Sequence, residues 1–347
     1  MDRRDLRRLD GAPETASKIP SATPVTAPTT AVSVIIPVLN EERHLRDAVS
    51  MVLAQDWAGG LQVVLAVGPS TDRTLEIAAE IAAADDRVVV VDNPTGRTPD
   101  ALNAAIAVAE GDVIVRVDGH AEIPVDYVSA AVETLERTGA DNVGGIMDAQ
   151  GVTPFQRAVA LAMRSPVGVG NSRFHVGGTA GPADTVYLGA FRRQALDRVG
   201  GYDRRYARAQ DWEMNHRIRE TGGLVYFTPR MRVTYRPRAT VPALARQYFL
   251  YGRWRRVVAR SHQGTINARY LAAPAMVVGV GGSTLLGLAW SPALAVPAAY
   301  VLATVGAGLA ISRDEDWPAR VRVPGVLAVM HWSWGLGFLT SPRSLPR

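Results

Sequence analysis

Short, almost continuous apolar runs recur along the first third of the chain and alternate with segments in which apolar residues have helical spacing. Runs of this kind are typical of strands that are buried on both faces of a parallel sheet. The pattern predicts strands over 31–38, 61–67, 87–91 and 112–117, and helices over 41–54, 74–83 and 100–109. Strands that alternate with helices in this way indicate βαβ units. We therefore expect an α/β fold with a mostly parallel sheet flanked by helices.

The pattern continues less regularly in the middle of the chain. It predicts a helix from Pro124 to about 137, a strand near 142–147, a helix over 210–221 and short strands over 225–227 and 232–235. Residues 165–185 are rich in glycine and small polar residues, which predicts a mobile loop. We expect one α/β domain over 31–240.

The last quarter of the chain is apolar in a different way. No charged residue occurs from 270 to 312, and a bilayer span needs about 20 apolar residues. The run predicts two spans, at about 271–289 and 293–312, in a membrane region over 270–347. Residues 323–340 are a weaker third candidate, which either spans or lies at the interface. The alternative is a buried helix pair in a soluble domain, and the lack of a polar face argues against it.

Residues 241–262 carry two stripes at helical spacing, one aromatic and apolar and the other basic. This pattern is typical of an amphipathic helix on an anionic membrane surface. The alternative is a helix that packs on the preceding domain.

Composition narrows the class of protein. The chain has 347 residues, 47% of them apolar, which excludes wholesale disorder, and no cysteine, which excludes disulfide and thiolate chemistry. Its net charge is +5, and the basic excess falls in the apolar last third. This favours a membrane flank over a nucleic-acid surface, so we expect no nucleic-acid partner. Residues 1–30 are polar and lack the apolar core of a signal peptide, which predicts a disordered tail.

Polar loops follow each of the four predicted strands. They contain Asn40 and Glu41, then Asp72, then Arg97, then Asp118 and His120. Each alone is explained by a turn or a helix cap, but parallel sheets bind ligands at the carboxyl ends of their strands. Asp118 and His120 are two residues apart in what should be extended chain, so both side chains face one way and can share a divalent cation. Arg97 offers a guanidinium fork for a phosphate.

Asp211 opens the helix predicted over 210–221. An acid in this position is either a favourable first-turn charge, held ionised by the helix N-terminus, or a general base at the mouth of a site. The sequence has neither a P-loop nor a G-x-G-x-x-G motif, so a P-loop NTPase and a typical dinucleotide site are not supported.

Together these motifs resemble the family 2 glycosyltransferases, which have the GT-A fold. They occur in the order P-x-x-N-E-E, S-T-D-R-T, N-x-x-G-R-T-P-x-A-L-N, R-V-D-G-H-A, V-G-G-Y-D and Q-D-W-E-M-N-H-R-I-R. The resemblance runs from about 33 to 254. The V-D-G-H-A motif and the apolar tail are most similar to the membrane-associated succinoglycan-type branch.

The resemblance implies a role for each matching position. The nucleotide-sugar donor would be bound by Pro37, Asn40, Glu41, Asp72, Arg97 and Asp118. A divalent metal, Mn²⁺ or Mg²⁺, would be held by Asp118 and His120, and Asp211 would be the catalytic base. The acceptor or membrane side is expected at Tyr187, Gly189, Arg192, Arg253 and Trp254.

Three positions depart from the family pattern. Gln210 replaces the usual glutamate before the base, and His120 stands at the third position of the D-x-D motif. The Q-x-x-R-W signature of processive synthases is half present, with Leu250 in place of its glutamine. A polymer-threading synthase is therefore not favoured.

The resemblance implies an inverting glycosyltransferase that uses a UDP- or GDP-linked sugar and a lipid-linked saccharide acceptor in exopolysaccharide or cell-envelope glycan synthesis. Its location would be the cell membrane, multi-pass, with the catalytic domain in the cytoplasm. The alternatives are a polyprenyl-phosphate monoglycosyltransferase and a catalytically silent membrane scaffold of the same fold.

Overall fold

The computed structural model describes residues 30–343, so the tail predicted over 1–30 lies, except for Thr30, outside the described residues. The strands are β1 Val32–Val38, β2 Leu61–Val67, β3 Val88–Asp92, β4 Val113–Arg116, β5 Asn142–Ala149, β6 Gly181–Pro182, β7 Tyr187–Arg192 and β8 Val225–Tyr235. The helices are α1 Leu45–Leu53, α2 Thr74–Ala84, α3 Thr98–Val108, α4 Tyr127–Thr138, α5 Pro154–Met163, α6 Pro166–Val169, α7 Arg173–Val176, α8 Arg193–Val199, α9 Gln210–Glu220, α10 Val241–Ser261, α11 Ala268–Leu286, α12 Ala295–Ile311, α13 Trp317–Arg320 and α14 Val323–Leu339.

The strands form one sheet in the order β3-β2-β1-β4-β7-β5-β8-β6. β1, β2, β3 and β4 are parallel to one another, as the sequence predicted, and β5 pairs in parallel with β8. β7 runs antiparallel between β4 and β5, and β6 runs antiparallel to β8. The sheet is therefore mixed.

The strand ends are in register. Val38 pairs with Val67, and Val67 pairs with Asp92, so the loops after β1, β2 and β3 leave the sheet at the same edge. β4 ends beside β1, where the amide of Val117 donates to the carbonyl of Ile35. The expectation that the four polar loops share one edge is confirmed.

The central strands are buried on both faces, which explains their continuous apolar sequence. In β1, Val34 and Ile36 point into a core shared with α1 and α4, while Ile35 points into a second core shared with α3 and α9. Successive side chains of a strand point to opposite faces of the sheet, so the seven residues of β1 contribute side chains to both cores.

The structure adds elements that the sequence pattern did not predict. α5, β7 and α8 were missed, and the strands predicted over 225–227 and 232–235 are one strand, β8, with an irregularity opposite β5. Residues 165–185, predicted as a mobile loop, contain the single-turn helices α6 and α7 and the short strand β6, and their mobility stays a prediction.

The C-terminal helices pack on the α/β domain. α10 buries Leu244, Tyr248 and Trp254, so the apolar stripe faces protein. α14 crosses α10 closely: a Cβ added at Gly252 would collide with the carbonyl of Trp334, and one at Gly337 with that of Phe249. Small residues permit this close approach of two helix backbones. The alternative prediction for 241–262, a helix that packs on the preceding domain, is therefore confirmed for the apolar face of α10.

α11 and α12 form a hairpin with an exposed apolar surface. Leu285, Leu288 and Leu302 are each at least 70% exposed. Within residues 30–343, one helix, Ser291–Ile311, is long and apolar enough to cross a membrane by length and composition, and 11% of that stretch is buried. α11 and α14, which occupy the other two predicted spans, do not meet the same criteria of length and composition.

Candidate active site

A cleft of about 620 Å³ opens at the carboxyl ends of the parallel strands and extends to α9, α10 and α11. Of the predicted site residues, those that line it are Pro37, Glu41, Asp118, His120, Tyr187, Asp211 and Trp254. The folding of the chain thus brings together residues from the loop after β1, the loop after β4, the first turn of α9 and the middle of α10.

Asn40 and Asp72 link the loops after β1 and β2. The Asn40 side-chain oxygen accepts a hydrogen bond from the Thr71 amide at 2.8 Å, and the Asp72 carboxylate accepts one from the Glu42 amide at 3.2 Å. Asn40 has a φ of 57°, in the left-handed region that asparagine tolerates better than most residues. The hydrogen bond from the Thr74 hydroxyl lowers the pKa of Asp72. Both side chains fix the loop beside the cleft and lie outside its lining.

The expectation that Asp118 and His120 lie on extended chain is wrong. β4 ends at Arg116, and residues 118–121 form a turn in which the amide of Ala121 donates to the carbonyl of Asp118 at 2.9 Å. His120 reaches Glu41, with Nδ1 and Oε1 2.7 Å apart. This hydrogen bond, more than any other contact, raises the pKa of His120.

Arg116 contacts both the carboxylate of Asp118, expected to bind donor and metal, and that of Asp211, expected to be the base. Its Nε and Nη2 donate to Asp118 Oδ1, both at 3.0 Å, and its Nη1 donates to Asp211 Oδ1. The side chain of Arg116 is only 5% exposed. Burying a guanidinium is costly unless it is paired, and the two carboxylates provide that pairing.

Asp211 lies in the first turn of α9. The helix follows Ala209, whose φ of 59° places a non-glycine residue in the left-handed region. Such strain clusters at functional sites. Burial raises the pKa of Asp211 to about 6, and the contact with Arg116 opposes the rise, so the carboxylate is still ionised at neutral pH. The carboxyl group is therefore a stronger base than an ordinary aspartate.

Glu213 belongs to a different environment. It is 1% exposed and accepts hydrogen bonds from Arg217 at 2.7 and 2.8 Å, with His262 at 3.3 Å. α9 therefore presents Asp211 to the cleft, whereas Glu213 is buried in the protein interior.

Four other predicted residues lie outside the cleft lining. Arg97 donates to the carbonyl of Arg204 at 2.7 Å. Arg192 donates to the carbonyls of Leu135 and Ala140, at the end of α4. The two remaining residues are Gly189, which is buried in β7 at a φ of 100°, and Arg253, which lies on α10.

Several cleft residues were not singled out from the sequence. They are Arg116, Arg208, Arg238, Gln247, Arg255 and Arg269. Arg116 stands in the quoted R-V-D-G-H-A motif, where a cation inside an apolar strand is itself a signal of a buried ion pair. Gln247 lies six residues before Arg253 on α10. Its side-chain amide donates to the hydroxyls of Tyr235 and Tyr251, at 2.7 and 2.9 Å.

The donor atoms at Asp118 fit a divalent cation that is shared with a diphosphate. Mg²⁺ is commonly held by one or two carboxylates together with substrate phosphates. Within residues 30–343, no group of three or more acidic or histidine side chains is arranged as a metal site on its own. A metal-bound imidazole is neutral, and in a neutral His120 the Nδ1–H can donate to Glu41 while Nε2 provides the lone pair for a metal, so the contact with Glu41 is compatible with metal binding.

Comparisons with known proteins agree with the fold. The profile of Glycosyl transferase family 2 matches residues 33–200. The chain is 32% identical over 307 residues to the succinoglycan biosynthesis protein ExoA of Rhizobium meliloti, covering 88% of this chain and 93% of that protein. A second relative is the dolichyl N-acetyl-alpha-D-glucosaminyl phosphate 3-beta-D-2,3-diacetamido-2,3-dideoxy-beta-D-glucuronosyltransferase of Methanococcus voltae. The identity is 24%, and the match covers 64% of this chain and 71% of that protein.

A solved structure extends the comparison to three dimensions. The mannosyltransferase PcManGT from Pyrobaculum calidifontis, in complex with GDP-Man and Mn²⁺, superposes with a TM-score of 0.55 at 22% identity, covering 87% of this chain and 86% of that one. At this identity the likeness shows the GT-A fold alone.

Proposed function

Since the chain belongs to the family 2 glycosyltransferases, we propose that it transfers one sugar from a nucleoside-diphosphate donor to a lipid-linked saccharide, with inversion at the anomeric carbon. The reaction takes place at the cytoplasmic face of a membrane and serves exopolysaccharide or cell-envelope glycan synthesis. The observation that carries this proposal is the cleft in which Asp118 and Asp211 contact one buried guanidinium, beside Pro37 at the end of β1 and Glu41 in the loop that follows.

The donor is proposed to bind at the carboxyl ends of β1 and β4. Pro37, Glu41 and Asp118 line the cleft there, while Asn40 and Asp72 hold the loop that contains Glu41. A divalent cation, when bound, neutralises charge on the leaving diphosphate, and Asp118 and His120 are the residues that would hold it. The donor-binding role of Arg97 stays a prediction.

Arg208 and Arg238 also line this cleft and are exposed. Arg238 is close enough to His120 to oppose the rise in that residue's pKa. Both guanidinium groups can therefore form charge-assisted hydrogen bonds with phosphate oxygens of the donor.

Asp211 is proposed to act as the base. Its carboxylate accepts the proton of an acceptor hydroxyl while the hydroxyl oxygen forms a bond to the anomeric carbon. The bond from that carbon to the diphosphate oxygen breaks, and the nucleoside diphosphate leaves with the electron pair. A single displacement from the opposite face inverts the anomeric centre. A base with a pKa of about 6 is ionised at neutral pH and accepts a proton more readily than an unperturbed carboxylate.

The acceptor is proposed to be lipid-linked because the cleft reaches the apolar C-terminal helices. Residues 31–240 form the catalytic domain in this account, and α10 connects it to the helices of 270–347. The exposed leucines of α11 and α12 would contact lipid. The name of the Methanococcus voltae relative describes transfer to a dolichyl-phosphate-linked sugar. We place α12 and its hairpin partner α11 across the bilayer. α14, whose Val326, Leu327 and Met330 are buried in a cluster with α5 and α10, stays the third candidate, which either spans or lies at the interface.

The proposal is tested with membranes that contain the full chain, incubated with UDP- and GDP-linked sugars and a polyprenyl-diphosphate-linked saccharide. We expect one donor to release its nucleoside diphosphate and the lipid-linked saccharide to gain the mass of one sugar. Membranes with Asp211→Asn provide the matched control. A sugar gained by free polyprenyl phosphate instead would indicate a monoglycosyltransferase, and release without any gain in lipid mass would contradict a lipid-linked acceptor.

A further inference from the structure

Arg255, on α10, is held between two aromatic rings at the end of the cleft that faces the C-terminal helices. The centre of its guanidinium lies 3.9 Å from the centroid of Trp212 and 4.1 Å from that of Tyr270. Stacking of this kind fixes the plane of the guanidinium and leaves only its edge for hydrogen bonds. The residue is 6% exposed and lines the cleft.

The edge of Arg255 is incompletely bonded. Nη2 donates to the carbonyl of Thr265, while Nε and Nη1 have no hydrogen-bond partner among the residues that the structure describes. Burial lowers the pKa of Arg255 to about 10, so the side chain remains a cation at neutral pH. A buried cation with unpaired donors is unfavourable, and an anionic ligand would satisfy it.

A second arginine lies at the same end of the cleft. Arg269 donates to the Tyr270 hydroxyl at 2.6 Å, and its Nε has no partner in the described part of the chain. Asp184, 3.8 Å from Arg269 and mostly exposed, offsets part of the positive charge. The guanidinium groups of Arg255 and Arg269 lie 4.1 and 4.7 Å from the centroid of the Tyr270 ring, and both residues line the cleft. An anionic phosphate ester at this end of the cleft would therefore meet positive charge from two side chains.

This end of the cleft is adjacent to the proposed base. Trp212, which stacks on Arg255, follows Asp211 directly in α9, and both line the cleft. The other wall includes Tyr270 of α11 and Trp334 of α14, whose rings are stacked with centroids 6.4 Å apart. A ligand can therefore place an anion at Arg255, a hydroxyl near Asp211 and an apolar tail along α11.

We infer that Arg255 and Arg269 form a subsite for the phosphate of the polyprenyl-linked acceptor, separate from the site that holds the donor diphosphate. The inference rests on the proposed function, because it assigns the phosphate to the acceptor substrate. The pair fixes the distance from the lipid phosphate to the reacting hydroxyl.

The test is a binding measurement without any sugar donor. The full chain in detergent is titrated with polyprenyl phosphate, with the corresponding polyprenol, with inorganic pyrophosphate, and with UDP and GDP. We expect polyprenyl phosphate to bind at least tenfold more tightly than polyprenol. Arg255→Met should weaken polyprenyl phosphate binding at least tenfold and leave the binding of polyprenol and of UDP or GDP unchanged.

Arg246→Met is the matched control, because Arg246 is exposed on the same helix. Arg255→Lys and Arg269→Met provide second variants if Arg255→Met does not fold, and each should weaken polyprenyl phosphate binding selectively. Equal binding of polyprenyl phosphate and polyprenol by the unmodified chain overturns the inference. Equal losses for UDP or GDP and for the lipid would instead assign Arg255 to the donor. Because no transfer is measured, a failure here is distinct from a failure of the proposed reaction.

Discussion

The guanidinium of Arg116 is hydrogen-bonded to the carboxylate of Asp211, 95 residues away in the sequence. The same guanidinium holds Asp118 at 3.0 Å. A single buried cation therefore fixes the proposed base relative to the proposed metal-binding carboxylate, and it does so from the last residue of a central strand.

Replacing Arg116 should destabilise the protein. Arg116→Met leaves two largely buried carboxylates without their partner, and loss of one member of a buried ion pair costs about 3–5 kcal/mol. Arg116→Lys keeps the charge but not the two-sided contact, so it should be less destabilising. Thermal unfolding of the full chain in detergent measures both effects. Arg230→Met is the control, since its pair with Glu133 is exposed and should contribute little. Equal melting temperatures for Arg116→Met and Arg230→Met would contradict the role of Arg116.

The activity should depend on pH through Asp211. Because the pKa of this group is raised to about 6, its carboxylate becomes protonated as the pH falls below about 6 and can no longer accept the acceptor proton. The value of kcat/KM should therefore fall on the acid side, with a midpoint near 6, and level off above it. A profile of kcat/KM against pH provides the measurement, because kcat/KM reports the ionisation of the free enzyme. A flat profile between pH 5 and 8 would show that Asp211 does not titrate in the rate-limiting step.

Transfer should require a divalent cation. Chelation with EDTA should abolish activity, and added Mn²⁺ or Mg²⁺ should restore it, because Asp118 and the donor diphosphate together provide oxygen ligands. His120→Ala should raise the metal concentration needed for half-maximal activity without unfolding the chain. His44→Ala is the control, since His44 is exposed in the same region. Full activity in excess EDTA would rule out the metal.

Membrane attachment should depend on the exposed face of the helical hairpin. Replacing Leu285, Leu288 and Leu302 by glutamine removes apolar surface that is exposed in the protein, so it should favour release from the membrane without lowering stability. Extraction with alkaline carbonate, followed by quantification of the soluble fraction, tests this expectation.

The control for the hairpin is Val152→Gln, because Val152 is exposed on the α/β domain and should not affect partition. A deletion after 240 is less informative, since it removes Leu244 and Tyr248 from a buried cluster. Unmodified chain that is soluble at high salt without detergent would contradict the membrane account.

The sequence predicted the parallel half of the sheet well. β1, β2 and β4 are buried on both faces, so nearly all of their residues are apolar and the strands are recognisable as apolar runs. β7 was missed, since its six residues include Gly189 at a positive φ and follow a segment rich in small residues. Its position between β4 and β5 depends on pairing across the chain, which local periodicity does not contain.

The site was predictable in part for the same reason. The register of the strands determines which loops meet, so Glu41 and Asp118 were expected together. Asp211, at the start of α9, was added by the family resemblance, and all three residues line one cleft. The contact of Arg116 with Asp211, the turn that carries His120 to Glu41, and the burial of Glu213 each join distant segments. Their roles follow from tertiary packing and not from residue spacing.

Whether Asp211 removes the acceptor proton is measured with Asp211→Asn. The substitution keeps the shape of the side chain and removes its charge, so turnover should fall by on the order of 10²–10⁴-fold while donor affinity stays nearly unchanged. The control is Glu220→Gln, on the exposed end of the same helix, which should behave as the unmodified chain. Glu213→Gln is unsuitable, because Glu213 is buried against Arg217. Near-normal turnover of Asp211→Asn, with intact donor binding, would contradict the account.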